Sequence, residues 1–156
     1  MRALKLVQHM KTNADRMSEG LIQKIRSSDR CSELLRRVPA EEQKRNALEI
    51  YGDLTDWLAV EIDSLVERRY VDLGNQRAHQ GVPLSNVFWA VSIARDYLWD
   101  YMQRECLLEE PVEFWGGVIL LRSLNQFFDR ALYFTLLGYQ KAGKGEFFAS
   151  VALAHR

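Results

Sequence analysis

The sequence predicts an all-α protein, on three observations. Apolar residues recur at intervals of three and four through four long segments. No segment alternates apolar and polar positions with β-branched residues, so no sheet is expected. All three prolines, Pro39, Pro83 and Pro111, stand just ahead of a segment with helical period. Proline suits a helix's first turn, where the missing N–H has no intrahelical partner to lose.

The first segment carries Ala3, Leu6, Val7, Met10, Ala14, Met17, Leu21 and Ile25 on one face. Cys31 to Val38 reads as a short helix or a bent continuation, closed by Pro39. The second long segment carries Ala47, Tyr51, Leu54, Leu58, Ile62 and Leu65. Arg69 to Gln80 then reads as a short helix with a weak apolar face, ended by Gly81. The third carries Val87, Val91, Ala94, Leu98 and Met102, and the fourth Phe114, Val118, Leu121, Leu124, Phe128 and Leu132. The expected architecture is thus four long helices divided near positions 38, 80 and 110, plus short connecting helices. Ala142 to Gly145 is expected to be a hinge before a last short helix, 143–156. From Ala131 to Tyr139 the fourth helix is apolar nearly all round, and a helix greasy on every side must be covered on every side. In a chain this small that predicts a central helix that is also a homodimer seam.

At 156 residues the chain is one domain, 1–156, with its core over about 20–142. Hydrophobic residues are 47% and charged residues 27%, which favours a folded core over disorder. The 21 basic and 21 acidic side chains balance, which argues against a protein built to hold phosphate backbones. Charge is nevertheless segregated: residues 1–37 carry +5, 38–70 carry −4, 71–110 carry −3 and 111–156 carry +2. These are expected to be solvated helix faces. The longest uncharged stretch, Ala78 to Ala94, begins with polar, turn-like residues, so no membrane span is expected, and the first residues lack a signal peptide's apolar run. Two cysteines make no disulfide framework, and a reduced, cytoplasmic location fits.

Catalytic constellations are missing. There is no Gly-x-Ser-x-Gly elbow, P-loop or Gly-x-Gly-x-x-Gly, no Cys-x-x-Cys pair, and no two histidines three or four apart. The three histidines, His9, His79 and His155, are scattered. Asp53, Asp56, Glu61, Asp63 and Glu67 stand mostly off the apolar stripe, and no Glu-x-x-His is present for a dimetal bundle. No enzyme is expected, and no metal. Cys106 continues the third stripe as a buried thiol. Cys31, beside Asp29 and Arg30 in a bend, is read as partly exposed, with a cation able to lower its pKa. Residues 24–37 are basic, but Ile25, Leu34 and Leu35 are too few to pack a helix-turn-helix, so no nucleic acid is expected as a partner.

The run Gly81-Val82-Pro83-Leu84, followed by a long helix with Arg95, Tyr97 and Trp99, resembles the N-terminal sensory domains of RsbR-type stressosome proteins, especially the RsbRD N-terminal family. Leu124 to Asp129 and Tyr133 to Tyr139 are similar to that family's last helix, and the likeness covers about residues 20–142. The resemblance implies a globin-like helical fold acting as a dimeric bacterial sensor module, with a STAS domain or histidine kinase as output. A chain of 156 residues has no room for either output domain. Haem-binding globin-coupled sensors are related. Aligned on Gly81-Val82, the position of their ligating histidine is Arg77, and His79 lies two residues on, so haem is disfavoured and no cofactor is expected. His79 is read as capping carbonyls at its helix end.

The expected function is a non-catalytic sensory domain that dimerises through the last helix and binds a small apolar ligand between the second, third and fourth helices. Leu58, Ile62, Leu73, Phe88, Val91 and Phe128 are the predicted lining. The alternative is a ligand-free dimerisation or protein-interaction scaffold.

Overall fold

A computed structural model describes the backbone of residues 2–105 and 114–154, and the side chains of residues 5–105 and 117–143. Among these residues every regular element is helical: α1 (Arg2–Thr12), α2 (Ala14–Arg26), a 3₁₀ turn (Asp29–Cys31), α3 (Ser32–Arg37), α4 (Ala40–Val60), α5 (Asp63–His79), α6 (Leu84–Arg104) and α7 (Phe114–Ala154). The all-α prediction holds, as an α-helical bundle.

Pro39 and Pro83 cap α4 and α6 from extended backbone, with ψ of 144° and 139°. They set the divisions expected near 38 and 80; the one near 110, with Pro111 and Cys106, lies outside the described residues. Gly81, at φ 72°, closes α5 with the paired bonds of a Schellman motif. Val82 N–H donates to Arg77 O at 3.1 Å, and Gly81 N–H to Ala78 O at 3.0 Å. Val82 itself is sealed against Leu34, Val38 and Val87 in a small second core.

Three boundaries differ from the sequence reading. The first segment is two helices, because Asn13 turns its side-chain amide back onto His9 O (2.8 Å), competing with helix continuation. The second segment ends at Glu61, a non-glycine residue at φ 50° whose N–H still reaches Trp57 O at 2.7 Å. That left-handed residue, costing about 1 kcal/mol, is held by a 2.6 Å hydrogen bond that Glu61 Oε1 accepts from Ser123 on α7. The stripe is therefore cut before Ile62 and Leu65, which stand half-exposed at 48% and 54%, and α5 starts six residues earlier than Arg69. Ala142 to Gly145 is helical, so the expected hinge and separate last helix are replaced by one continuous α7. Each glycine costs a helix about 1 kcal/mol, too little to stop one already propagating.

The core is built from Leu6, Met10, Met17 and Leu21, with Ile50, Leu54, Trp57, Leu98 and Met102, around Leu124, Phe127 and Phe128. Cys31 is fully buried, so the partial exposure expected there is overturned; burial pushes its pKa up, against a weaker hydrogen bond from Ser28. The most extensive helix pair is α5 with α7. A Cβ on Gly74 would overlap the Thr135 carbonyl oxygen, and one on Gly138 the Val71 carbonyl oxygen, so the two backbones touch directly. At the ends of this seam Arg130 Nε meets Asp63 at 2.7 Å and Tyr139 OH donates to Val82 O at 2.7 Å.

Candidate functional site: a cleft between α4 and α5

α4 and α5 diverge from the Glu61 turn and scarcely pack on one another. Between them opens a cleft of about 480 Å³, the size of a small-molecule site. Its floor is apolar: Leu21, Ile22 and Ile25 of α2, Leu34 of α3, Ile50 of α4, and Val87, Ala90, Val91 and Ala94 of α6. Its walls are polar, with Gln43, Arg45, Asn46, Glu49 and Asp53 from α4 facing Arg68, Arg69, Asp72, Gln76 and Arg77 from α5.

Of the six predicted lining residues the cleft takes Leu73 and Val91. Leu58 is half-buried against the main core, Phe128 is sealed inside it, Phe88 is 53% exposed on α6, and Ile62 sits in the α4–α5 turn. This cleft lies among α2, α4, α5 and α6, and no described residue of α7 lines it, whereas the sequence reading placed the ligand against the last helix. Apolar stripes pointed to core rather than to a cavity. The usable signal was polar: Glu42, Asn46, Glu49 and Asp53 share one face of α4 by four- and three-residue steps, and Arg69, Gln76 and the cap residue Gln80 follow one face of α5 by steps of seven and four.

Two polar clasps span the cleft. At one end Arg77, only 5% exposed in its side chain, meets Glu42 at 2.9 Å and Gln80 Oε1 at 2.8 Å, while Gln80 Nε2 donates to Glu42 at 3.0 Å. At the other, Arg69 Nε lies 3.1 Å from Asp53 Oδ1, and Tyr70 OH donates to Asp53 Oδ2 at 3.1 Å. Tyr70 in turn sets its ring edge-on to Phe127 of the core. Burial raises Asp53 to about 6, outweighing the opposing pull of Arg69 and Tyr70. Tyr70 is pushed up by burial first and by the Asp53 charge second.

The folded protein thus holds a proton on Asp53 more tightly than the unfolded chain, whose carboxyl titrates near 3.8. Stability from this group is greatest below about pH 4 and is lost as pH rises through about 6. Replacing Asp53 with Asn keeps an acceptor for Tyr70 and removes the sheltered charge. The Asp53→Asn protein is expected to be more stable than the parent by about 1–2 kcal/mol near neutral pH, with the gain vanishing toward pH 4. Urea unfolding across that pH range checks both the size and the sign.

Arg77, which stands where the sequence reading looked for a haem-ligating histidine, is a guanidinium with no lone pair for iron, and it is engaged by Glu42 and Gln80. His79 is exposed, with Nδ1 2.8 Å from Asn75 O of its own helix, as expected of a helix-end cap. These residues do not fit a haem. Among the described residues no group of three or more His, Cys, Asp or Glu is placed to hold a metal ion, and no helix is long and apolar enough to cross a membrane.

No curated protein and no solved structure matches the chain. The helices that build the cleft and the α5–α7 seam fall almost wholly within residues 15–145, and this stretch matches the family described as the RsbT co-antagonist protein rsbRD N-terminal domain. The resemblance carried by Gly81 to Trp99 and by the last helix is thereby extended from the first turn of α2 to beyond Gly143, and the chain belongs to that family of regulatory domains.

Proposed function

We propose that the protein is a non-catalytic, cofactor-free cytoplasmic sensor module of stressosome type, in which a small, mainly apolar ligand occupies the α4–α5 cleft. One observation supports this above others: α5 is both a wall of the cleft and the partner to which α7 is fused by backbone contact at Gly74 and Gly138. Occupancy that moves α5 relative to α4 carries α7 with it. A ligand shifts such an equilibrium only by its difference in affinity between the two arrangements, and the two clasps are contacts that differ when the cleft widens.

Dimerisation through α7 is the second part of the reading. Ile119 is 68% exposed and Tyr133 59%, with Val118 and Leu136 partly so, giving the outer face of α7 apolar positions for a second copy. Family membership supports a globin-like ancestry for the bundle and an output of STAS or histidine-kinase type. Organic extraction of the purified protein followed by mass spectrometry tests the sensor reading, with one co-purified small molecule per chain expected. A clean extract from a protein whose cleft amides also ignore added apolar probes would establish the ligand-free scaffold instead. Light scattering on the eluting protein is expected to give twice the chain mass, and a monomer at high concentration would remove the α7 seam.

A further inference from the structure

We propose that the ligand of the cleft is an uncharged, mostly apolar molecule bearing one carbonyl-type acceptor, and that this oxygen is read by the side-chain amide of Asn46. The inference rests on the cleft being the sensory site, and it specifies the chemistry that site selects.

Asn46 lies on the α4 wall of the cleft, between Gln43 and Glu49. Its Nδ2 is buried and donates to nothing, one of two such side-chain atoms among the described residues. The other, Thr135 Oγ1, belongs to the α5–α7 seam. A buried donor without an acceptor carries a desolvation cost that any acceptor reaching it removes. The last torsion of an asparagine side chain is soft. A small rotation about it breaks no bond at Nδ2, because none exists, so an acceptor seated on the α4 wall meets this N–H.

The surrounding charges argue for a neutral partner. Arg77 is answered by Glu42, and Arg69 by Asp53 with Glu49 beyond it at 3.6 Å. A ligand charge carried down to Asn46 would lose its hydration against an apolar floor where the sheltered cations, Arg69 and Arg77, are already paired, a loss greater than one hydrogen bond returns. Arg45, Arg68 and Asp72 also line the cleft but are exposed, with Arg45 3.8 Å from Glu49, so water and salt screen them.

Four probes of matched length separate the classes: hexyl methyl ketone, octanoate, octylamine and octane. Each is titrated into the full chain while the Asn46 side-chain amide and the backbone amides of Leu73 and Val91 are followed by NMR. The ketone is expected to shift all three, and to bind about tenfold tighter than the acid or the amine and about fivefold tighter than the alkane, the worth of one recovered hydrogen bond. Asn46→Leu is expected to bring the ketone down to the alkane's affinity, and Asn46→Ala to do the same should leucine crowd the cleft. Both variants should unfold at the parent's urea midpoint or above, since Nδ2 contributes no bond. Octanoate or octylamine binding as tightly as the ketone, or a ketone preference that survives in both variants, overturns the assignment while leaving the cleft a ligand site. If no probe moves Leu73 and Val91, the cleft reading itself fails and takes the ligand class with it.

Discussion

Gly74→Ala is expected to destabilise the protein by about 2–4 kcal/mol, although alanine is intrinsically the better helix former by about 1 kcal/mol. The added methyl would overlap the Thr135 carbonyl oxygen and lie 2.8 Å from Tyr139 N. Both are backbone atoms, so no rotamer change relieves the overlap, and α5 and α7 must separate along their length. Separation strips contacts from Tyr70 on Phe127 and from Tyr139 on Val82 O, which close the seam on either side. Gly138→Ala meets the Val71 carbonyl oxygen in the same way and is expected to cost a similar amount. The double variant should cost less than the sum, because the first methyl has already parted the helices. Gly52→Ala is the control: nothing lies within 4 Å of the added Cβ on α4, so a gain of about 0.5–1 kcal/mol is expected. Urea unfolding followed by circular dichroism at helical wavelengths reads all of these. A Gly74→Ala protein as stable as Gly52→Ala would mean that α5 and α7 do not touch at their backbones, and the route from cleft to last helix would lose its rigid link.

The sequence made the helical class legible because period and proline agree. The α6 stripe of Val87, Val91, Ala94, Leu98 and Met102 is buried at every position, and Pro39, Pro83 and Gly81 end or begin helices where their backbone chemistry requires. What escaped has physical reasons. Glu61 adopts a left-handed conformation for the sake of a tertiary bond to Ser123, and no local residue announces it. The phase of α7 was half right, since Leu124 and Phe128 are buried but Val118 is 39% exposed. Positions 118–121 are apolar without interruption, and periodicity cannot choose a face there. The cleft was read from apolar stripes, yet a densely packed protein fills apolar positions first. Phe128 duly went to the core, and the opening appears where opposed polar rows keep α4 and α5 apart. Charges assigned to solvated faces prove in part to be the clasps of that opening.

Arg77→Met is expected to cost about 3 kcal/mol, the second large effect, because it leaves the Glu42 carboxylate at the cleft's end without its cation. The guanidinium is 5% exposed and Glu42 only 15%, so water does not replace the lost partner cheaply. Arg77→Lys is expected to recover less than half. The lysine stem is shorter and its ammonium is more strongly hydrated, so it does not fully replace the Nη1 that meets both Glu42 Oε1 and Gln80 Oε1. Pairing Arg77→Met with Glu42→Gln removes both charges and should restore most of the stability, since an apolar or neutral replacement of a whole buried pair is often tolerated. The contrast between single and double variants separates a clasp from mere packing: if Met alone is harmless, the pair does not hold α4 to α5. The double variant also tests the clasp's part in the proposed ligand response, for it keeps the fold while removing the ion pair that a widening cleft would have to break. Its ligand affinity should then rise relative to the parent, because the open arrangement no longer forfeits that bond. Affinity unchanged in the double variant would place the moving contact at the Asp53–Arg69 end of the cleft instead.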